Sequence, residues 1–168
     1  MIKLLKDFYA LFKLLTGRTQ IYWMRSEHAN DNLDSLFKVA YDSAGMDLKC
    51  QRDIVIPVGQ SLKVPVGIHV LPDALPFNLA IAPQIWTRSG VSTEFKIEKG
   101  AGLGDNNYTG EYAIHLYNNS DSVFRAKAGT RLCQMCFPIV LLPSRTLTEV
   151  SKMPETERGS KGFGSSGK

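Results

Sequence analysis

From Thr19 onward the hydrophobic pattern runs with a period of two, in short stretches rich in Val, Ile and Phe that Gly, Pro and Asn interrupt. Examples are Asp53-Ile-Val-Ile-Pro57, Leu62-Lys-Val-Pro-Val66, Gly67-Ile-His-Val-Leu71, Asn78-Leu-Ala-Ile-Ala82, Glu111-Tyr-Ala-Ile-His-Leu-Tyr117 and Leu132 to Leu142. Short strands so closely spaced, with turn residues between them, predict an all-β barrel, sandwich or jelly roll. The Asn106-Asn107 pair between Gly104 and Gly110 predicts a tight hairpin. No fixed-period repeat and no second domain boundary is present. With 168 residues and 43 % apolar side chains the chain can bury one ordinary core.

The opening stretch follows a different period. At 100° per residue Leu4, Leu5, Phe8, Leu11, Phe12 and Leu15 share one arc and Lys3, Lys6 and Lys13 lie off it, which predicts an amphipathic helix closed by Gly17. A bilayer span needs about 20 largely apolar residues, and this run is shorter and broken by lysines. It also lacks the small-residue cleavage site of a signal peptide. Three roles stay open for it: packing on its own protein or oligomer, resting on a membrane surface, or docking a partner.

Charge and cysteine usage narrow the classes further. Lys plus Arg number 20 against 16 Asp plus Glu, a net charge of +4 that is small and dispersed, so no stable nucleic-acid binding is expected. Cys50, Cys133 and Cys136 are an odd set without a secretion signal, which points to a reducing, cytoplasmic setting. Cys133 and Cys136 form a CxxC, but three positions apart on a strand they face opposite ways. No second CxxC or His pair completes a tetrahedral site, so these read as structural thiols.

The tail is the first place where chemistry shows. Arg158-Gly-Ser-Lys-Gly-Phe-Gly-Ser-Ser-Gly-Lys168 supplies glycines that let backbone amides approach a ligand, hydroxyl donors and cations, the ingredients of a phosphate cradle. It lacks the Walker spacing and no helix pattern follows. Phe163 has nothing to bury in a solvated linker, but it could stack on a base.

Five segments in order resemble the motifs of the homotrimeric dUTPase family: Ser43-Ala-Gly-Met-Asp-Leu48, Thr87-Arg-Ser-Gly-Val91, Gly102-Leu-Gly-Asp-Asn-Asn-Tyr-Thr-Gly-Glu111, Gly129-Thr-Arg-Leu-Cys-Gln134, and Arg158 to Gly167. The resemblance implies a distorted jelly-roll barrel, here with an added N-terminal amphipathic helix, so that residues 1–18 form the helical segment, 19–150 the β domain and 151–168 a flexible arm. It also implies a homotrimer whose three active sites are each shared among all chains, with dUTP as substrate and dUMP and pyrophosphate as products.

Splitting a triphosphate between its α and β phosphates needs an in-line water, a carboxylate to orient or deprotonate it, and charge stabilisation on the leaving group. By resemblance Asp105 is that carboxylate; from the residues alone it could equally be an Asx-turn side chain. Tyr108 resembles the tyrosine beneath the deoxyribose, and Gly102 and Leu103 belong to the hairpin whose backbone reads uracil. Arg88, Ser89 and Gly90 would cradle phosphates, with Gln134 beside them. Arg158 would pair with the γ phosphate, Phe163 would stack on uracil, and Gly162, Gly164 and Ser165 would add contacts. Asp47 would support Mg²⁺ through water, the ion being held mainly by the triphosphate.

Three departures stand out: Lys99 where the family usually has asparagine, Gly104 in place of an apolar, often β-branched residue, and Thr87 in place of proline. A glycine at 104 is expected to loosen the backbone that aims Asp105. Two other readings remain, a dCTP deaminase of the same fold and a nucleotide-binding regulatory protein that docks through the helix.

Overall fold

The computed structural model describes residues 2–156, so Arg158, Gly162, Phe163, Gly164 and Ser165 lie outside the described residues. The helical period yields α1 (Ile2–Leu15). It ends in a Schellman cap, in which Arg18 N–H donates to the Lys13 carbonyl at 2.8 Å, Gly17 N–H donates to Leu14 at 3.3 Å, and Gly17 adopts φ +66°. No residue of α1 is buried, and Phe8 and Leu15 are 69 % and 77 % exposed. Leu4, Leu5, Phe8, Phe12 and Leu15 are exposed, while Leu11 of the same arc is partly covered along with Asp7, Ala10 and Leu14, so most of the apolar arc faces away from the body. The helix is tied at its end, where Lys13 pairs with Asp73 and Asp73 Oδ2 also accepts Gln20 N–H at 2.8 Å. Among the described residues no helix is long and apolar enough to cross a membrane.

Twelve strands follow among the described residues: β1 (Ile21–Arg25), β2 (Phe37–Val39), β3 (Met46–Lys49), β4 (Ile54–Ile56), β5 (Ser61–Pro72), β6 (Leu79–Ile81), β7 (Gln84–Thr87), β8 (Ile97–Lys99), β9 (Glu111–Asn118), β10 (Phe124–Ala126), β11 (Arg131–Cys136) and β12 (Ile139–Leu141). Two short helices, α2 (Ser89–Phe95) and α3 (Pro143–Thr146), interrupt them. All pairings are antiparallel. One four-stranded sheet runs β1-β5-β9-β8 and the other β2-β3-β11-β7, with β4–β10 and β6–β12 as two-stranded ribbons. This is the expected jelly-roll-like β body with its added helix.

Alternation builds the core between the sheets. Along β9, Tyr112, Ile114, Leu116 and Asn118 point inward and are buried, while the residues between them are not. Tyr112, Ile114 and Leu116 share one buried cluster with Leu48, Leu132 and Met135 of the second sheet, the last three at 0–1 % exposure. Fully burying a side chain of this size contributes about 1.5–3 kcal/mol. Asn118 is the polar exception and is fully engaged. Its Nδ2 donates to Ile56 and Ser122 carbonyls, both at 2.8 Å, and its Oδ1 accepts from Ser120.

Three local expectations change. Gly67 does not separate two strands: β5 is continuous, and Gly67, at φ +79°, forms an irregularity where the β5–β9 register shifts. The 132–142 run is split, because Pro138 has no N–H to continue the ladder between β11 and β12. The Asn106-Asn107 pair does not close a two-residue hairpin. It sits in a turn, Tyr108 N–H to Asp105 carbonyl at 3.1 Å, within the longer 100–110 connection between β8 and β9.

Candidate active site

The 100–110 connection is laid down as an extra partial strand. Ile85 N–H donates to the Gly102 carbonyl at 2.8 Å, Gln84 bridges to Leu103, and Gly104 N–H donates to the Pro83 carbonyl at 2.7 Å. This strapping sets Asp105 and Tyr108 at the rim of a cavity of about 250 Å³ that Ala101, Gly102, Leu103, Gly104, Ala113 and Lys63 help to line. Ligand pockets run to roughly 300–1,000 Å³. The hollow therefore suits one end of a nucleotide rather than all of it. Tyr108 donates from Oη to the Glu111 carbonyl at 3.0 Å and meets the Tyr112 ring edge-on at 5.3 Å. Glu111 fastens the far side: its Oε1 accepts Ser26 Oγ at 2.5 Å and Gly67 N–H at 3.1 Å, and its Oε2 meets His28 Nδ1. The irregular Gly67 position thus connects directly to the site.

A second cluster forms on the other sheet. Register places Asp47 opposite Gln134 and Gln134 opposite Trp86, in one row across β3, β11 and β7. Arg88 follows β7 as the residue before α2, so Ser89 and Gly90 open that helix. Asp47 binds two guanidiniums, Arg88 Nε at 3.0 Å on Oδ1 and Arg131 Nη1 at 2.9 Å on Oδ2. One carboxylate against two guanidiniums leaves a net positive charge. Since each guanidinium carries five donors, N–H groups also remain to be offered to an anion. Both arginines stay partly exposed, at 36 % and 39 %.

Within one chain, then, Asp47, Arg88, Ser89, Gly90 and Gln134 gather in one place, and Gly102, Leu103, Asp105 and Tyr108 in another; the cavity beside Asp105 includes none of the first group. Arg131, Glu111 and Tyr112 were missed by the sequence reading. Arg131 lies inside the fourth motif, three positions before Gln134, and that position was the only available signal.

Two of the three departures have physical accounts, and nothing in the structure explains Thr87. Lys99 places its ammonium 4.1 Å from the Trp86 ring centre and does not line the Asp105 cavity. Gly104 is tied by its N–H to the Pro83 carbonyl at 2.7 Å, its φ is not positive, and a Cβ there would meet Tyr112 Oη at 2.6 Å and the Pro83 carbonyl at 3.0 Å. In the CxxC, Cys133 is buried and Cys136 half-buried, both thiols are free, and burial pushes the Cys133 thiol far up.

Fold and site together define a β jelly-roll protein with a hollow beside Asp105 and a separate, net positive arginine cluster around Asp47. Comparison with known proteins is narrower: the family model for dUTPase matches residues 34–167, and the chain belongs to the dUTPase family. It is 33 % identical over 155 residues to the deoxyuridine 5'-triphosphate nucleotidohydrolase of Candida glabrata, covering 92 % of this chain and all of that protein. In structure it resembles a mutant dUTPase of Staphylococcus bacteriophage 80alpha in complex with dUpNHpp, at TM-score 0.71 and 20 % identity over 88 % of this chain and 98 % of that one. It also resembles a mutant dUTPase from phage phi11 of S. aureus with a coordinated structural Mg(II) ion, at TM-score 0.62 and 17 % identity over 81 % and 99 %.

Proposed function

We propose that this chain hydrolyses dUTP to dUMP and pyrophosphate, with Asp105 as the base that orients and deprotonates the attacking water. The observation that carries the reading is the Asp105 turn, strapped to β7 and set with Tyr108 at the rim of a nucleoside-sized hollow with backbone-rich walls. Tyr108 would lie under the deoxyribose, where a flat ring leaves no space for a 2′-hydroxyl. The backbone of Gly102 and Leu103 would read the uracil edge; a site built to pair that edge rejects a base that leaves it unpaired. Arg88 and Arg131, held by Asp47, would stabilise charge on the phosphates as the bond between the α and β phosphates breaks. Gln134, Ser89 and Gly90 would add donors, and Arg158, Gly162, Phe163, Gly164 and Ser165 would contribute from the arm.

Mg²⁺ fits this chain in one way. Among the described residues no group of three or more His, Cys, Asp or Glu side chains could hold a metal ion. Asp47 commits both oxygens to arginines, so its contribution to an ion is through water, while the triphosphate supplies the direct ligands. So held, the ion neutralises phosphate charge. A homotrimer that brings the Asp105 cavity of one chain to the arginine cluster of another would unite the two subsites. The free thiols suit a cytoplasmic, reducing setting. The outward apolar face of α1 would serve contact with a partner or a membrane surface outside the catalytic body.

The test is pyrophosphate release from dUTP, dCTP, dTTP and UTP with Mg²⁺, beside Asp105→Asn. Turnover of dUTP alone, reduced about 10²–10⁴-fold in the variant with dUTP still bound, is the expected result. An inactive wild type that still binds dUTP would overturn it in favour of a regulatory role.

A further inference from the structure

Tyr112 is 5 % exposed, and its hydroxyl is buried without a hydrogen-bond partner among the described residues. A buried hydroxyl left unpaired is costly, so phenylalanine would be the cheaper residue if filling space were its whole task. Its place explains the tyrosine. A Cβ built on Gly104 would stand 2.6 Å from Tyr112 Oη and 2.7 Å from Cε1, closer than real Cβ atoms come. The ring also packs edge-on against Tyr108 at 5.3 Å. Tyr112 therefore touches the residue before Asp105 and the residue that closes the Asp105 turn. Gly104 has no positive φ that would require glycine, so space alone accounts for it.

We propose that Tyr112 is a positioning residue for Asp105, its ring and hydroxyl filling the notch that Gly104 leaves and thereby fixing where the Asp105 turn stands over the cavity. This rests on Asp105 being the base, as argued above. Tyr112 points inward from β9 and lies in the wall of the cavity beside Ala113, but it is 5 % exposed and its ring packs against Gly104 and Tyr108, so it acts on Asp105 through the 104–108 turn. A small shift of the carboxylate costs the chemical step far more than it costs binding, which depends on the many other contacts.

The experiment compares Gly104→Ala, Tyr112→Val and the double variant with the wild type, measuring dUTP turnover and equilibrium binding of dUpNHpp below each variant's unfolding midpoint. Each single change is expected to lower kcat at least tenfold with analogue affinity within threefold. In the double variant the new methyl and the vacated ring volume compensate, and kcat returns to within threefold of wild type. A wild-type kcat in Gly104→Ala, a double-variant loss equal to the product of the singles, or affinity falling in step with kcat would each overturn the proposal. Should Gly104→Ala fail to fold, Tyr112→Phe takes its place: a kcat loss of threefold or more with binding intact supports the role, and unchanged kcat overturns it. A wild type without turnover would sink the functional reading and this role with it, whereas an active wild type with the wrong variant pattern would sink this role alone.

Discussion

Arg131 shows what one residue carries here. Its guanidinium and that of Arg88 share the Asp47 carboxylate, at 2.9 and 3.0 Å. Removing it in Arg131→Ala withdraws one charge from the cluster proposed to hold the phosphates. Hydrogen bonds to charged groups are worth about 1.5–3 kcal/mol, so kcat/KM for dUTP should fall about 10- to 100-fold. Steady-state kinetics, with melting temperature as a control for folding, checks this. The cysteines give a second residue-level prediction. Burial pushes the thiols of Cys50 and Cys133 upward, so both stay protonated and shielded at neutral pH. Mass spectrometry after brief treatment with a thiol reagent should find Cys136 modified in the native protein and the other two only after denaturation. The Asp47–Arg131 pair joins residues 84 positions apart, which no spacing rule connects. The motif-borne residues Asp47, Arg88 and Gln134 were each legible in the sequence, but their meeting was not.

At the scale of elements, α1 is clamped at its end by Lys13 and Asp73. Burial alone would raise the Asp73 carboxyl, but Lys13 and the Gln20 amide outweigh it and hold it below the usual range, while Lys13 is itself raised by its hydrogen bond to Asp73. A depressed carboxylate contributes from above its unfolded value, about 3.9, and the contribution is lost as pH falls through the lower folded value. A raised lysine contributes below about 10.4 and is lost as pH rises through its folded value. The clamp should therefore hold across neutral pH and release α1 on strong acidification. Backbone NMR of α1 and its linker across a pH titration would show release at low pH, and Asp73→Asn should show it already at neutral pH. Strand β5 carries the other prediction. Gly67 has φ +79° and a Cβ there would meet Gln51 Cδ at 2.8 Å, so Gly67→Ala should cost about 1–3 kcal/mol, read from urea unfolding. The same change strains the Gly67 amide that Glu111 holds, so a loss of activity should accompany it.

For the whole molecule, the separation of the Asp105 cavity from the arginine cluster within one chain is the feature to test. If arms and cavities come from different chains, refolding an equal mixture of Asp105→Asn and a chain ended at Thr156 should restore about a quarter of the sites, while each refolded alone stays inactive. A mixture that stays inactive would assign the arm to its own chain. The all-β class, the N-terminal helix with its Gly17 cap and the five motifs were set by the sequence itself, because periodicity, capping and short motifs are local properties. Only the tertiary structure decided that α1 turns most of its apolar arc outward, that Gly67 bends one strand rather than dividing two, and that Asp47 spends its charge on Arg131. It also decided that Gly104 yields its space to Tyr112. These depend on which distant segments end up touching, and chain folding brings such contacts together without leaving a period or a spacing in the sequence.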